Sequence, residues 1–112
     1  MKDDFLFISS QKKLYRVNVD SISFIQAMDD YIKIHLKDSK SITTRMTMKA
    51  MLKQLDQDAF VRVHRSFIVP VKNIEAMGVK NILVNGNEIA LGKNYAGEVK
   101  ERFKDVDNST FL

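Results

Sequence analysis

Between Tyr31 and Lys37 the chain reads YIKIHLK, and its alternation has no fault. Ile32, Ile34 and Leu36 fall on one side of an extended backbone, with Tyr31, Lys33, His35 and Lys37 on the other. A helix would scatter these apolar residues around its circumference, whereas a strand with one buried face collects them. The segment must therefore belong to a sheet, and its neighbours carry the same signature. Phe5–Ile8 reads as a first strand and SSQKK as a polar turn; Tyr15, Val17 and Val19 then alternate with Arg16, Asn18 and Asp20. ISFIQAM is apolar and β-branched, KDSK supplies turn chemistry, and SITTRM is a return strand.

The period changes after Thr47. Met48, Met51, Leu52 and Leu55 stand at i, i+3, i+4 and i+7, which predicts a short helix near 47–55 with Thr47 as its N-cap. Downstream, Val79–Val84 and Glu88–Leu91 flank Asn85-Gly86, the dipeptide of a type I′ hairpin turn. Tyr95, Val99 and Phe103 at i, i+4 and i+8 predict a C-terminal helix near 95–104, opened by Asn94. Residues 105–112 have no period and read as a frayed tail. The chain is thus one mainly β domain over residues 1–112, with a core about 5–104, eight to ten short strands and two short helices.

A core of this kind is affordable in 112 residues, of which 45% are hydrophobic. There is no cysteine, so disulfide frameworks, thiol catalysis and thiolate metal sites are excluded. Apolar runs last only a few residues, as in Phe67–Val71, so no transmembrane helix or signal segment is expected and a cytoplasmic location is. Only two histidines exist; His35 has lysines at i−2 and i+2, a poor setting for a metal ligand. No catalytic motif, phosphate loop or dinucleotide fingerprint is present, so neither an enzyme nor a cofactor is expected. Charge is more informative: residues 41–80 hold seven Lys/Arg against three Asp/Glu, which is the whole of the chain's +4. That suits a polyanion, although inert domains are often as basic.

One strand breaks its own rule. In FVRVHRSFIV, residues 60–69, one face of a continuous strand would carry Val61, Val63, Arg65, Phe67 and Val69. An arginine stands where a core residue belongs. If the strand ends at Val63 and a new one begins at Phe67, His64-Arg65-Ser66 becomes a connection that displays three kinds of donor. Arg65 then suits guanine O6 and N7, with His64 and Ser66 reaching phosphates or base edges. The alternative is a β-bulge with Arg65 on the surface and His64 capping a backbone group; residue types alone favour it. LGKNY offers a second candidate, where Gly92 permits an unusual backbone angle, Lys93 adds charge and Asn94 opens a helix. A plain cap with a solvated lysine accounts for it as well. AMDDY is the third, and taken alone it is a strand-connecting turn.

Taken together, DSISFIQAMDDYIKIHL, TTRMTMKAMLKQL, FVRVHRSFIVPVKNIEAM and EIALGKNYAGEVKERF resemble the LytTR (LytR/AlgR-type) DNA-binding domain, in order and spacing, over residues 5–104. The resemblance implies about ten strands in small stacked antiparallel sheets. It also implies that loops, two of them in successive major grooves, read double-stranded DNA. Carried over by position, the reading loops are Met28, Asp29, Asp30 and Tyr31; His64, Arg65 and Ser66; and Gly92, Lys93, Asn94 and Tyr95. The family usually has a polar or basic residue where Asp30 stands; a carboxylate there accepts from cytosine N4 or excludes other bases. Phosphate partners are expected at Lys33, Arg45, Lys49 and Arg62. Such domains are mostly output halves of bacterial two-component response regulators, so a linked receiver domain and a dimer on paired repeats are implied. A chain that starts at its first strand reads as an excised fragment more readily than as a stand-alone protein. Two other classes remain open from the residues: a single-stranded nucleic-acid or RNA-binding β-barrel, which needs exposed aromatics, and a β-rich interaction or sensing module.

Overall fold

The computed structural model describes residues 5–106, with side chains through Arg102. Ten strands form in chain order: β1 (Phe5–Ser10), β2 (Lys13–Asn18), β3 (Ile22–Met28), β4 (Tyr31–Leu36), β5 (Ser41–Arg45), β6 (Phe60–His64), β7 (Phe67–Pro70), β8 (Ile74–Met77), β9 (Asn81–Val84) and β10 (Asn87–Ala90). Helix α1 (Met48–Gln54) separates β5 from β6, and α2 (Ala96–Val106) follows β10. All strand pairs are antiparallel, in a two-stranded sheet β1-β2, a five-stranded sheet β5-β4-β3-β7-β6 and a three-stranded sheet β10-β9-β8.

The five-stranded sheet is the middle layer, and each face carries its own core. Ile25, Ile34, Ile42 and Ile68 form one cross-strand row, because Ile25 pairs with both Ile34 and Ile68 and Ile34 pairs with Ile42. Against this face pack Ile8 and Val17 of the β1–β2 hairpin and Met48, Met51 and Leu55 around α1. Helix α1 has the predicted cap: the Ala50 N–H donates to Thr47 Oγ1 at 3.0 Å, a contact worth about 1 kcal/mol. The opposite face, through Val61, Val63 and Val69, meets Ile82, Val84 and Ile89 of the small sheet and Val99 of α2. Arg102 fastens α2 by donating to the Gln57 and Phe60 carbonyls.

Several boundaries differ from the sequence pattern, for local reasons. Val19 lies in a 3-10 turn, Val19–Ser21, that redirects the chain between sheets; Val71–Asn73 forms another. Val79 is 91% exposed in the bend before β9, so alternation in its neighbours overstated that strand. Asn85 and Gly86 both have positive φ, 51° and 79°, as a type I′ turn requires. Helix α2 begins at Ala96: the Val99 N–H bonds the Tyr95 carbonyl, which makes Tyr95 the cap and leaves Asn94 one residue outside. The same helix runs to Val106, two residues into the expected tail; the rest of that tail and the Phe103 side chain lie outside the described residues.

His35 stacks on Phe24 at 4.1 Å, and its Nε2 lies 3.0 Å from Gln26 Oε1. Burial, and then the Lys33 ammonium, hold its pKa below the ordinary 6.5. The unfolded chain therefore binds the extra proton more readily than the folded one. Stability from neutral His35 is complete above about pH 6.5 and declines as pH falls through the folded pKa. Thermal midpoints are expected to drop from about pH 7.5 to about 5.5, with a shallower drop in His35→Gln; equal slopes would remove His35 from the account.

Candidate nucleic-acid interface

The β6–β7 hairpin resolves the misplaced arginine. Arg62 pairs with Ile68 and His64 with Phe67, so Val63 is an extra residue, a β-bulge. The bulge keeps Val63 fully buried while His64 restarts the pairing, and Arg65-Ser66 remain as a two-residue turn. Both readings of the sequence are therefore realised in one hairpin: a bulge, and a turn that displays Arg65 to solvent. His64 caps its own turn, with Nδ1 accepting from the Ser66 N–H at 3.0 Å, which puts the ring proton on Nε2.

Two backbone hydrogen bonds tie the other candidate loops to this one. The Ala27 N–H donates to the Ser66 carbonyl at 2.8 Å, setting the Asp29-Asp30 turn of β3–β4 beside Arg65. On the other flank the Gly92 N–H donates to the Val63 carbonyl at 2.7 Å, which seats the Gly92–Tyr95 corner against the bulge. Gly92 does not have the positive φ expected of it; Gly86 alone among the described glycines does. Its small size is needed instead by contact, since a Cβ would lie 2.9 Å from Tyr95 Cδ2 and 3.5 Å from His64 Cα. Asp29 does adopt positive φ, 56°, at the tip of its two-residue turn.

The Asp29-Asp30 and Arg65 turns border a hollow of about 580 Å³ lined by Asp29, Asp30, Tyr31, Arg45, Lys49, Arg62 and Arg65, among others. Tyr31 and Arg45 are cross-strand partners, and the Arg45 guanidinium lies 5.2 Å from the Tyr31 ring centroid. Lys49 stands exposed on the first turn of α1. Neither Asp29 nor Asp30, nor Arg65, nor Lys93 is in an ion pair among the described residues. Arg62 lines the same hollow, with part of its guanidinium already engaged. Its Nη2 donates to the Arg65 carbonyl at 2.5 Å and its Nε to the His64 carbonyl at 3.4 Å, with the guanidinium 5.8 Å from the Tyr95 ring. Lys33 lies away from the hollow, between Gln26 and Thr43 in the sheet. Thr47 and Met46 also line the hollow and were not singled out by sequence; their spacing marks only a cap and a strand end. Lys93 and Asn94 are exposed in the corner after Gly92.

Residues 12–104 match the family model of the LytTr DNA-binding domain. The chain belongs to the LytTR family. It is 24% identical over 102 residues to the sensory transduction protein LytT of Bacillus cereus, covering 86% of this chain and 41% of that protein. An uncharacterized response regulatory protein of Vibrio cholerae is 28% identical over 74 residues, 63% of this chain and 28% of its own length. The chain thus spans less than half of these relatives. Among solved structures, the LytTr DNA-binding domain of a Bacillus cereus protein described as a methyl-accepting/DNA response regulator superposes with a TM-score of 0.73 at 20% identity, covering 90% of this chain and 97% of that one. That likeness shows the LytTr fold: three antiparallel sheets with two short helices. LytTR is a DNA-binding family, not a catalytic one. Among the described residues, no group of three His, Cys, Asp or Glu is placed to hold a metal, and no helix is long and apolar enough to cross a membrane.

Proposed function

We propose that this LytTR domain is the output unit of a transcriptional response regulator and recognises a specific duplex through turns in the major groove. The observation that carries this reading is the pair of backbone bonds, Ala27 to Ser66 and Gly92 to Val63, which hold three turns side by side. Arg65 reads guanine through its two-donor edge and Lys93 a second base; Asn94, His64 and Ser66 position them. Arg45 and Lys49 meet phosphates. Tyr31 carries Arg45 and Tyr95 faces Arg62, so one face of each ring is already engaged, which supports duplex over single strand. A receiver domain linked in the full-length protein, a dimer on paired repeats and action in the cytoplasm complete the proposal.

Selection of bound duplexes from a random pool tests it. An enriched motif that outcompetes its own single strands is expected. Binding without enrichment, lost at physiological salt, would instead describe a basic domain with no sequence preference.

A further inference from the structure

We propose that the DNA backbone beyond the reading turns crosses a second hollow, between the β1–β2 turn and β5, so that the SSQKK turn is a fourth contact element. This rests on the duplex-binding reading above. The second hollow measures about 510 Å³ and is lined by Ser9, Ser10, Gln11, Thr43 and Thr44. It shares Tyr31 and Arg45 with the first, so the two adjoin at that pair. Their chemistry differs. The first contains the carboxylates of Asp29 and Asp30. Every residue lining the second carries a hydroxyl, amide or guanidinium and none a carboxylate; with the Ser10 and Thr44 hydroxyls spent on backbone carbonyls, Ser9, Gln11, Tyr31, Thr43 and Arg45 keep donors for phosphate oxygens.

The turn itself is built at a cost. Gln11 and Lys12 both have positive φ, 52° and 64°, a region disfavoured for residues other than glycine. At residues 85–86 the same chain makes a two-residue turn with Asn-Gly, the unstrained choice. Here it keeps an amide and an ammonium instead. Ser10 Oγ donates to the Thr43 carbonyl and Thr44 Oγ1 to the Ser9 carbonyl, both at 2.5 Å, which pins the hairpin to β5. Lys13 pairs with Ser10 and so shares the face turned to β5. Neither Lys12 nor Lys13 has a carboxylate partner among the described residues.

Gln11→Glu and Lys13→Ala, with unchanged thermal melts, test the proposal on two duplexes: the selected motif trimmed to its ends, and the same motif extended by about five base pairs each side, half a helical turn. On the extended duplex each variant is expected to bind several-fold more weakly than the parent without reordering its sequence preferences. Lys13→Ala should also reduce the salt slope by about one. On the trimmed duplex both should match the parent. Parent-like binding of both variants to the extended duplex at low salt would overturn the fourth contact, as would equal losses on the two duplexes. A parent domain that fails to prefer the selected motif would instead overturn the functional reading itself, so the two failures are distinguishable.

Discussion

Arg65→Ala is expected to weaken binding to the selected duplex about fivefold to more than a hundredfold, about 1–3 kcal/mol, and to relax preference at one position. Affinity for random-sequence DNA should change far less. Arg65 is exposed at the tip of its turn, while the turn is held by its own carbonyl, the Ser66 N–H and the Ser66 carbonyl, none of which needs the Arg65 side chain. Truncation should therefore leave the fold within about 0.5 kcal/mol of the parent, as for other surface substitutions away from such features. Lys49→Ala is the contrast: with Lys49 as a proposed phosphate contact, its loss should weaken all sequences alike and lower the logarithmic salt slope by about 0.9. Anisotropy titrations of selected and scrambled duplexes at several salt concentrations separate the two patterns. A loss from Arg65→Ala that is equal on both duplexes would make Arg65 a phosphate contact and move base reading elsewhere.

What could be read from sequence was whatever is decided within a few residues. The face of β4, the Thr47 cap and the Asn85-Gly86 turn depend on neighbours in the chain, and the structure has all three. The break at Arg65 was visible as a fault in alternation. Its resolution was not, because the Val63 bulge is stabilised by an N–H from Gly92, 29 positions away. The same distance hides the reason for Gly92 itself. Sequence suggested a special backbone angle, whereas the constraint is the space between Tyr95 and His64. A second role of Arg62 was hidden for a related reason: a basic residue in a basic stretch suggests phosphate, and no pattern announces that two of its donors serve carbonyls of the next turn. The union of the loops is tertiary information that the residues alone carried only through the family resemblance.

Arg62→Lys keeps the charge, and a specific loss is expected all the same. The guanidinium is a planar fork that serves the carbonyls of His64 and Arg65 while facing the Tyr95 ring; an ammonium is a point charge on a flexible stem and reproduces neither arrangement. With the fork gone, the Arg65 carbonyl loses its partner and the turn can present its arginine in several orientations. Affinity for the selected duplex should fall about tenfold, about 1.4 kcal/mol, while random-sequence binding and the salt slope stay near the parent's because net charge is unchanged. The thermal midpoint should fall by about 4–8 °C if the clamp contributes about 1 kcal/mol. Combining Arg62→Lys with Arg65→Ala should add little to Arg65→Ala alone, since a clamp has no effect on specificity once the side chain it orients is absent. A phosphate contact at Arg62 predicts the opposite on each count: lysine would substitute well, alanine would weaken every sequence alike, and the double variant would lose the sum.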